Sequence, residues 1–281
     1  MHQASSWHHQ KSLKFSLRSL LDFSNDQDEV KKCIEEVKKQ KELRFKEELE
    51  SIRERSDVNQ KMRRTLDLLQ EKGSGAWLTA LPIQSLGYSL NKQEFRDSIC
   101  LRYGWNIQNT PSHCQCGKEN QIDHALNCKS GGYVSMRHNR IRDLEAELMR
   151  EVCHDVKIEP ELLPIDGDQN RSGNTADKAR LDVSGVGVLG TYEKTFLDIR
   201  IMHPNSQSYI NKPLHQVYVS HENEKKRAYG ERVVQVEKAS FTPIVLSTHG
   251  GSSKEADRHH KRIVQLIDDK KNEHRGDQPP R

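Results

Sequence analysis

The hydrophobic pattern divides the chain into stretches of different character. From Glu29 to Lys72 there is neither glycine nor proline. Val30, Ile34 and Val37, then Phe45, Leu49 and Ile52, then Met62, Leu66 and Leu69 recur at helical spacing. The stripe lapses near Lys41 and Ser56, so it predicts two or three long, highly charged helices that end at Gly73-Ser74-Gly75. Before it, Leu13, Phe15, Leu17, Leu20, Leu21 and Phe23 outline a short amphipathic piece. After it, residues 76–112 carry Trp77, Leu78, Leu81, Ile83, Leu86, Tyr88 and Leu90, then Phe95, Ile99, Leu101, Tyr103 and Trp105. These aromatics predict a small core, and Asn91 predicts the cap of a helix from about Lys92 to Arg102, with Glu94 in its first turn.

From residue 131 onward helical and strand periods alternate. His138–Val152 reads as a helix with Ile141, Leu144, Leu148 and Val152 on one face. Ala179–Val183 and Thr195–Met202 read as strands separated by a turn holding Gly185, Gly187 and Gly190. Pro213 opens a helix at a permitted first-turn position, and the helix runs to about Glu237. Phe241–Thr248 reads as a buried strand, and Ser252 or Ser253 caps a last helix to about Lys271. The order predicts a mixed α/β (α+β) domain. The expected organisation is a charged helical arm over 1–75, a helical segment with a Cys-rich loop over 76–130, an αβ domain over 131–275 and a disordered tail over 276–281.

Composition narrows the class. The chain has 281 residues, 33% hydrophobic and 31% charged, an apolar content low enough to require solvated helix or tail beside the core. No apolar run reaches membrane-spanning length, and the first 25 residues lack a signal-peptide pattern, which reads as intracellular. The net charge of +4 carries no single-sign block, so charge alone does not argue for nucleic acid.

Six cysteines in a chain without secretory features argue against disulfides. Cys114, Cys116, His124 and Cys128 form C-x-C-x7-H-x3-C. Thiolates and imidazole suit tetrahedral Zn2+, and four protein ligands make the site structural. Gly117 lets the backbone fold around the ion, while His124 and Cys128, one helical turn apart, share a face. The gap between the first two cysteines is tight, and His113 is an alternative ligand. Cys33, Cys100 and Cys153 read as ordinary thiols.

A second constellation is acidic. Arg180-Leu181-Asp182-Val183 and Phe196-Leu197-Asp198-Ile199-Arg200 are apolar strands, each with one central aspartate. A carboxylate there must be paired or bound to a cation. If the strands are neighbours, Asp182 and Asp198 converge and, with a backbone carbonyl, suit Mg2+ or Mn2+. The competing reading is two structural ion pairs, Arg180 with Asp198 or Arg200 with Asp182. Trp77, Trp105, Tyr88 and Tyr103 read as core rather than base-stacking groups. The His8-His9 pair reads as a weak metal binder, and Asp166-Gly167-Asp168 as a solvated turn.

The order of motifs resembles the C-terminal tail of site-specific LINE-type (non-LTR) retrotransposon proteins, over roughly Trp77 to Lys271. The matching residues are the knuckle, Gly131-Gly132, Arg137-His138-Asn139, Leu181-Asp182, Asp198-Ile199-Arg200, and Lys225 or Lys226 with Tyr229. In that family a Cys-Cys-His-Cys knuckle and a restriction-like endonuclease of the PD-(D/E)xK class follow a reverse transcriptase. The resemblance therefore implies a restriction-endonuclease-like core with a central mixed sheet flanked by helices, a nuclear setting, DNA and also RNA as partners, and no membrane. It implies Mg2+- or Mn2+-dependent phosphodiester hydrolysis. Asp182 and Asp198, with the Ile199 carbonyl, hold the ion; Lys225 or Lys226 orients water or stabilises phosphate charge. Glu145, on the helix after the knuckle, has two readings, an added carboxylate or a solvated helical side chain. Arg137, His138, Arg180, Arg200 and Tyr229 contact nucleic acid; the other reading of His138 is a helix-start residue bonded to a nearby loop. Two departures stand out. Leu181 replaces the family proline, and Arg200 stands where many related nucleases have a lysine; an arginine cannot release its proton. Residues 1–75 are too short and too charged for a reverse transcriptase, so the chain reads as a detached tail. Two alternatives follow: an inactive zinc-stabilised DNA- or RNA-binding module, and self-association through residues 29–72.

Overall fold

A computed structural model describes residues 27–165 and 173–276. The amphipathic piece between Leu13 and Phe23, His8-His9, the Asp166-Gly167-Asp168 turn and the tail beyond Gly276 lie outside the described residues. The chain divides into two compact units, residues 1–63 and 64–281, so the boundary falls inside the stretch that reads as one charged arm. Among the described residues no helix is long and apolar enough to cross a membrane.

The first unit is dominated by helix α1 (Gln27–Glu54). The helix runs through Lys41 without interruption. Loss of the apolar stripe there does not break it, because the residues remain good helix formers and pairs such as Glu42–Lys46 (3.0 Å) lie one turn apart. The expected break near Ser56 is present. Asn59 Oδ1 then accepts the Met62 amide (2.9 Å) and starts α2 (Gln60–Gln70).

The second unit continues with a short helix α3 (Ala76–Thr79) and with α4 (Lys92–Tyr103). Asn91 accepts both the Gln93 and Glu94 amides at 2.9 Å, and Glu94 returns a bond to the Asn91 amide at 2.8 Å, which completes the expected capping box. The aromatics of this segment form surface pairs rather than a core. Trp77 and Phe95 meet edge to face at 5.9 Å and Tyr103 stacks on Trp105 at 5.0 Å, yet no residue of α4 is buried and Trp105 and Tyr88 are exposed. Among the described residues no second layer closes over them.

The remaining elements build a three-layer domain. They are α5 (Ile122–Asn127), α6 (Tyr133–Arg150), β1 (His154–Ile158), β2 (Val183–Val186), β3 (Lys194–Met202), α7 (Leu214–Lys225), a π-helical turn (Lys226–Gly230), α8 (Glu231–Gln235), β4 (Ser240–Ser247) and α9 (Lys254–Gly276). The sheet order is β1-β2-β3-β4, antiparallel at the first two junctions and parallel between β3 and β4. The domain is mixed α/β with a four-stranded mixed sheet. Strand β1 was not legible as a strand, because His154-Asp155-Val156-Lys157-Ile158 is mostly exposed at an edge. The first predicted strand, Ala179–Val183, is displaced: regular pairing begins at Val183, and Arg180 makes only an isolated bridge to Glu161. Gly185 lies inside β2, where its missing side chain admits Met149 of α6.

Alternation along β3 distributes the core. Leu197 and Ile199 join Val183, Ala146, Met149, Ile244, Ala256 and Ile263 beneath α6 and α9. Phe196 packs with Leu181, Val233 and Ala239 beneath α8, and Met202 with Val217, Tyr218 and Val245 beneath α7. Both faces of β3 are covered, which accounts for its nearly continuous apolar run. Pro243 is admissible because β4 is an edge strand.

Arg232 of α8 is 2% exposed. Its guanidinium donates to the Asn174 and Ala176 carbonyls at 2.9 Å and to the Leu163 carbonyl at 2.7 Å. Replacement by methionine removes the donor to the Asn174 and Leu163 carbonyls, while Ala176 keeps the Ala179 amide, so Arg232→Met is expected to cost about 3 kcal/mol. The urea-unfolding midpoint measures this, and a midpoint equal to the wild type contradicts it.

Candidate functional site

The Cys-rich loop closes as its spacing predicts. The Gly117 amide donates to the Cys114 carbonyl and the Cys114 amide to the Lys118 carbonyl, both at 2.8 Å. The tight turn places Gly117 at φ 82°, a conformation glycine adopts without strain. Helix α5 carries His124, and its C-cap is Cys128, whose amide donates to the His124 carbonyl at 2.8 Å. The ligand atoms of Cys114, Cys116, His124 and Cys128 all lie within 4.8 Å of one another. They are the one group of three or more His, Cys, Asp or Glu side chains among the described residues that comes together in this way. This set can hold a metal ion such as zinc. His113 faces Ser112 instead (3.1 Å) and is not part of the group.

Two connections join this loop to the sheet domain. Asp123, beside the ligand His124, meets Nε2 of the buried His203 at 3.0 Å, and His203 Nδ1 meets Thr248 Oγ1 at 2.8 Å. His203 follows β3 directly, so the strand that bears Asp198 also holds the loop. Arg137 of α6 donates to the Leu126 carbonyl at 3.2 Å.

The two aspartates are neighbours. Val183 pairs with Leu197 in the β2–β3 ladder, and the next positions outward are Asp182 and Asp198. The Asp182 amide donates to the Leu197 carbonyl (3.1 Å), while the Ile199 amide donates to Asp182 Oδ2 (2.5 Å). A side-chain oxygen thus replaces a main-chain carbonyl at the end of the ladder. His138 Nε2 meets the other oxygen, Oδ1, at 2.9 Å. Lys225 Nζ lies 2.8 Å from Asp198 Oδ2. That oxygen is buried and lacks a hydrogen bond in line, so the contact is an ion pair. The two carboxyl groups are close enough for each to act on the other's ionisation.

Their charges separate accordingly. Burial raises Asp198 to about 6 against the pull of Lys225, and the neighbouring Asp182 adds to the rise. Burial also pushes Asp182 upward, but the His138 imidazole and the Ile199 amide outweigh it and hold this carboxyl below its ordinary value. The hydrogen bond to Asp182 raises His138. Two like charges side by side in an apolar setting disfavour double ionisation.

Other predicted site residues lie elsewhere. Glu145 is 3% exposed and faces α9, with Oε1 2.7 Å from His260 Nε2 and Oε2 3.7 Å from His259 Nε2. Its side chain is directed to these two histidines by its place on the buried face of α6. Lys226 pairs with Glu255 at 2.8 Å, leaving Lys225 as the lysine at the acidic pair. Arg180 pairs with Glu161, and Arg200 with Glu224 at 3.0 Å, so neither makes the expected pair with Asp198 or Asp182. Tyr229 packs on Phe241, and its hydroxyl accepts from Asn174 at 3.2 Å. A shallow cleft of about 330 Å3, lined in part by His138, Asn139, Ile199 and Arg200, opens beside the pair.

Sequence reasoning missed His203, Thr248, His259 and His260. Asp123 and His203 stand 80 residues apart and Glu145 and His260 115 apart, and no local pattern links such residues.

Two outcomes are expected. Purified protein binds one zinc per chain; Cys114→Ala reduces this to substoichiometric, whereas His113→Ala leaves it unchanged, as metal analysis after dialysis reports. The second concerns His259, whose pKa burial lowers from 6.5 to about 4. The unfolded state then binds more protons than the native state in that window. Stability is therefore intact above about pH 6.5 and falls as pH drops toward 4, by about 3 kcal/mol for this group. Urea midpoints measured across that range should show a shallower pH dependence in His259→Gln than in the wild type; identical slopes contradict the assignment. No protein-family model and no curated protein sequence matches this chain.

Proposed function

We propose that the protein is a divalent-metal-dependent DNA endonuclease with a restriction-endonuclease-like core, derived from a non-LTR retrotransposon and steadied by a structural zinc knuckle. The observation that carries this reading is the juxtaposition of Asp182 and Asp198 at the end of the β2–β3 ladder, with Lys225 on one of them. The oxygen donor set suits Mg2+ or Mn2+, and the buried Asp198 Oδ2 is already matched by a positive charge, the Lys225 ammonium at 2.8 Å. Asp182 and Asp198 would hold the ion with the Ile199 carbonyl. When bound, such an ion activates water and stabilises charge on the scissile phosphate.

The protein's own groups supply the rest. Lys225 balances the pair and stabilises charge that develops on a phosphate oxygen beside it. The Ile199 amide and His138 fix the Asp182 carboxylate in one orientation. Asp123 and His203 hold the knuckle against the same strand, so backbone contacts made by the knuckle set the register of the duplex at the acidic pair.

A second reading has its own support. Both Asp182 oxygens already have partners, and Arg200, where related nucleases carry a lysine, is paired with Glu224. These features favour an inactive zinc-stabilised module that binds DNA or RNA.

Nicking of supercoiled plasmid by zinc-loaded protein separates the two. Mn2+-dependent nicking is expected, lost by more than about 100-fold in Asp182→Ala and Asp198→Asn and reduced by about 100-fold in Lys225→Ala, while Lys226→Ala stays near the wild type. Nicking that survives Asp182→Ala contradicts the endonuclease reading. Salt-sensitive DNA binding without nicking decides for the inactive module.

A further inference from the structure

A groove of about 820 Å3 runs between the knuckle and the start of α6, lined among others by Ile107, His113, Asn120, Leu126, Tyr133 and Arg137. Two of its residues present groups that the fold leaves open. Tyr133 is 70% exposed. Its ring lies against Gly131, where an added side-chain carbon would come within 2.9 Å of the ring. One edge of the ring is therefore supported by bare backbone while most of its surface faces solvent.

Arg137 is the second. It is half-buried, its Nη2 donates to the Leu126 carbonyl, and its Nε is buried without a hydrogen-bond partner. Among the described residues no carboxylate pairs with it, and burial alone displaces its charge equilibrium, downward. A guanidinium partly removed from water with no counter-ion is costly unless an anion completes it. Its planar fork suits a phosphate. The groove's one acid, Glu119, accepts from Gln121 at 2.9 Å, and Asn120 is fixed by the Pro111 carbonyl at 3.0 Å.

We propose that this groove binds an unpaired stretch of nucleic acid, with one backbone phosphate on Arg137 and the adjoining base stacked on Tyr133. The proposal rests on the nucleic-acid reading above but not on cleavage. A base and its phosphate fit within a groove of about 820 Å3. Stacking on a supported aromatic ring is tolerant of sequence because every base presents a π-face. The site is the flank of the knuckle, apart from the acidic pair, so it would hold a melted or single strand while the duplex lies elsewhere.

The test uses full-length, zinc-loaded protein and two fluorescein-labelled probes, a short oligothymidylate and a blunt hairpin duplex, followed by anisotropy at several salt concentrations. Tyr133→Ala should weaken oligothymidylate binding about tenfold, Tyr133→Phe should retain it, and Gly131→Ala should weaken it by displacing the ring. Arg137→Gln should lower the salt slope on the single strand by about 0.7. Binding of the blunt duplex should be unchanged in Tyr133→Ala. Unaltered oligothymidylate affinity in Tyr133→Ala with zinc content intact overturns the proposal, as does an equal loss on both probes. Plasmid nicking that persists alongside unaltered oligothymidylate affinity removes this inference alone. Absence of binding to either probe by the wild type removes the nucleic-acid reading as well.

Discussion

Two carboxyl groups, side by side across the end of a β-ladder and largely out of water, are the constraint around which this domain is arranged. Each would be strongly unfavourable alone. The surroundings offset the cost by three different means: a lysine beside Asp198, an imidazole on one Asp182 oxygen and a main-chain amide on the other. These come from α7, α6 and β3. All three layers of the domain therefore converge on one short stretch of ladder. The asymmetry between the two acids follows from the same facts, since Asp182 receives directional donors and Asp198 receives a nearby charge.

The strand that carries Asp198 also determines where the Cys-rich loop sits. His203, directly after β3, is buried and bonded on both ring nitrogens, to Asp123 and to Thr248. A small loop with no buried helix residues of its own has little apolar packing with which to hold a fixed position. A buried hydrogen-bonded relay supplies that position instead, and a satisfied polar network specifies geometry more tightly than apolar contact does. Arg137 makes the other connection and spends only part of its donor set on it.

Much of this was legible locally. The capping box at Asn91, the C-x-C-x7-H-x3-C spacing, and the β3 and β4 strands are short-range patterns with direct physical causes, and the structure has them. The neighbouring placement of Asp182 and Asp198 was also readable, because a glycine-rich turn joins the two segments. What stayed hidden depends on packing at long separation. Glu145 resembles any helical glutamate until α9 brings His259 and His260 over it. The aromatics of residues 77–105 have the composition of a core, but composition does not reveal that, among the described residues, no second layer covers them. The start of β2 moved because Leu181, although apolar, packs under α8, while Asp182 turns its side chain into the ladder.

The helix over Leu214–Gln235 shows how a single run of sequence serves the acidic pair and the core at once. Lys225 ends the α-helical part and reaches Asp198; a π turn over Lys226–Gly230 follows, and helical geometry then resumes. A π turn is an inserted residue in an otherwise α-helical run, and such insertions are rare and concentrated at functional sites. Here it stands between two demands. Lys226 is turned to Glu255 on α9, whereas Tyr229 packs on Phe241 of β4 and Arg232 reaches the Leu163 and Asn174 carbonyls. Of the two adjacent lysines, only Lys225 meets a buried carboxylate. The choice is made by backbone geometry, since the side chains are chemically identical. The irregular turn in this helix and the irregular end of the ladder at Asp182 thus border the same pair of acids, the place where regular hydrogen bonding gives way to side-chain chemistry.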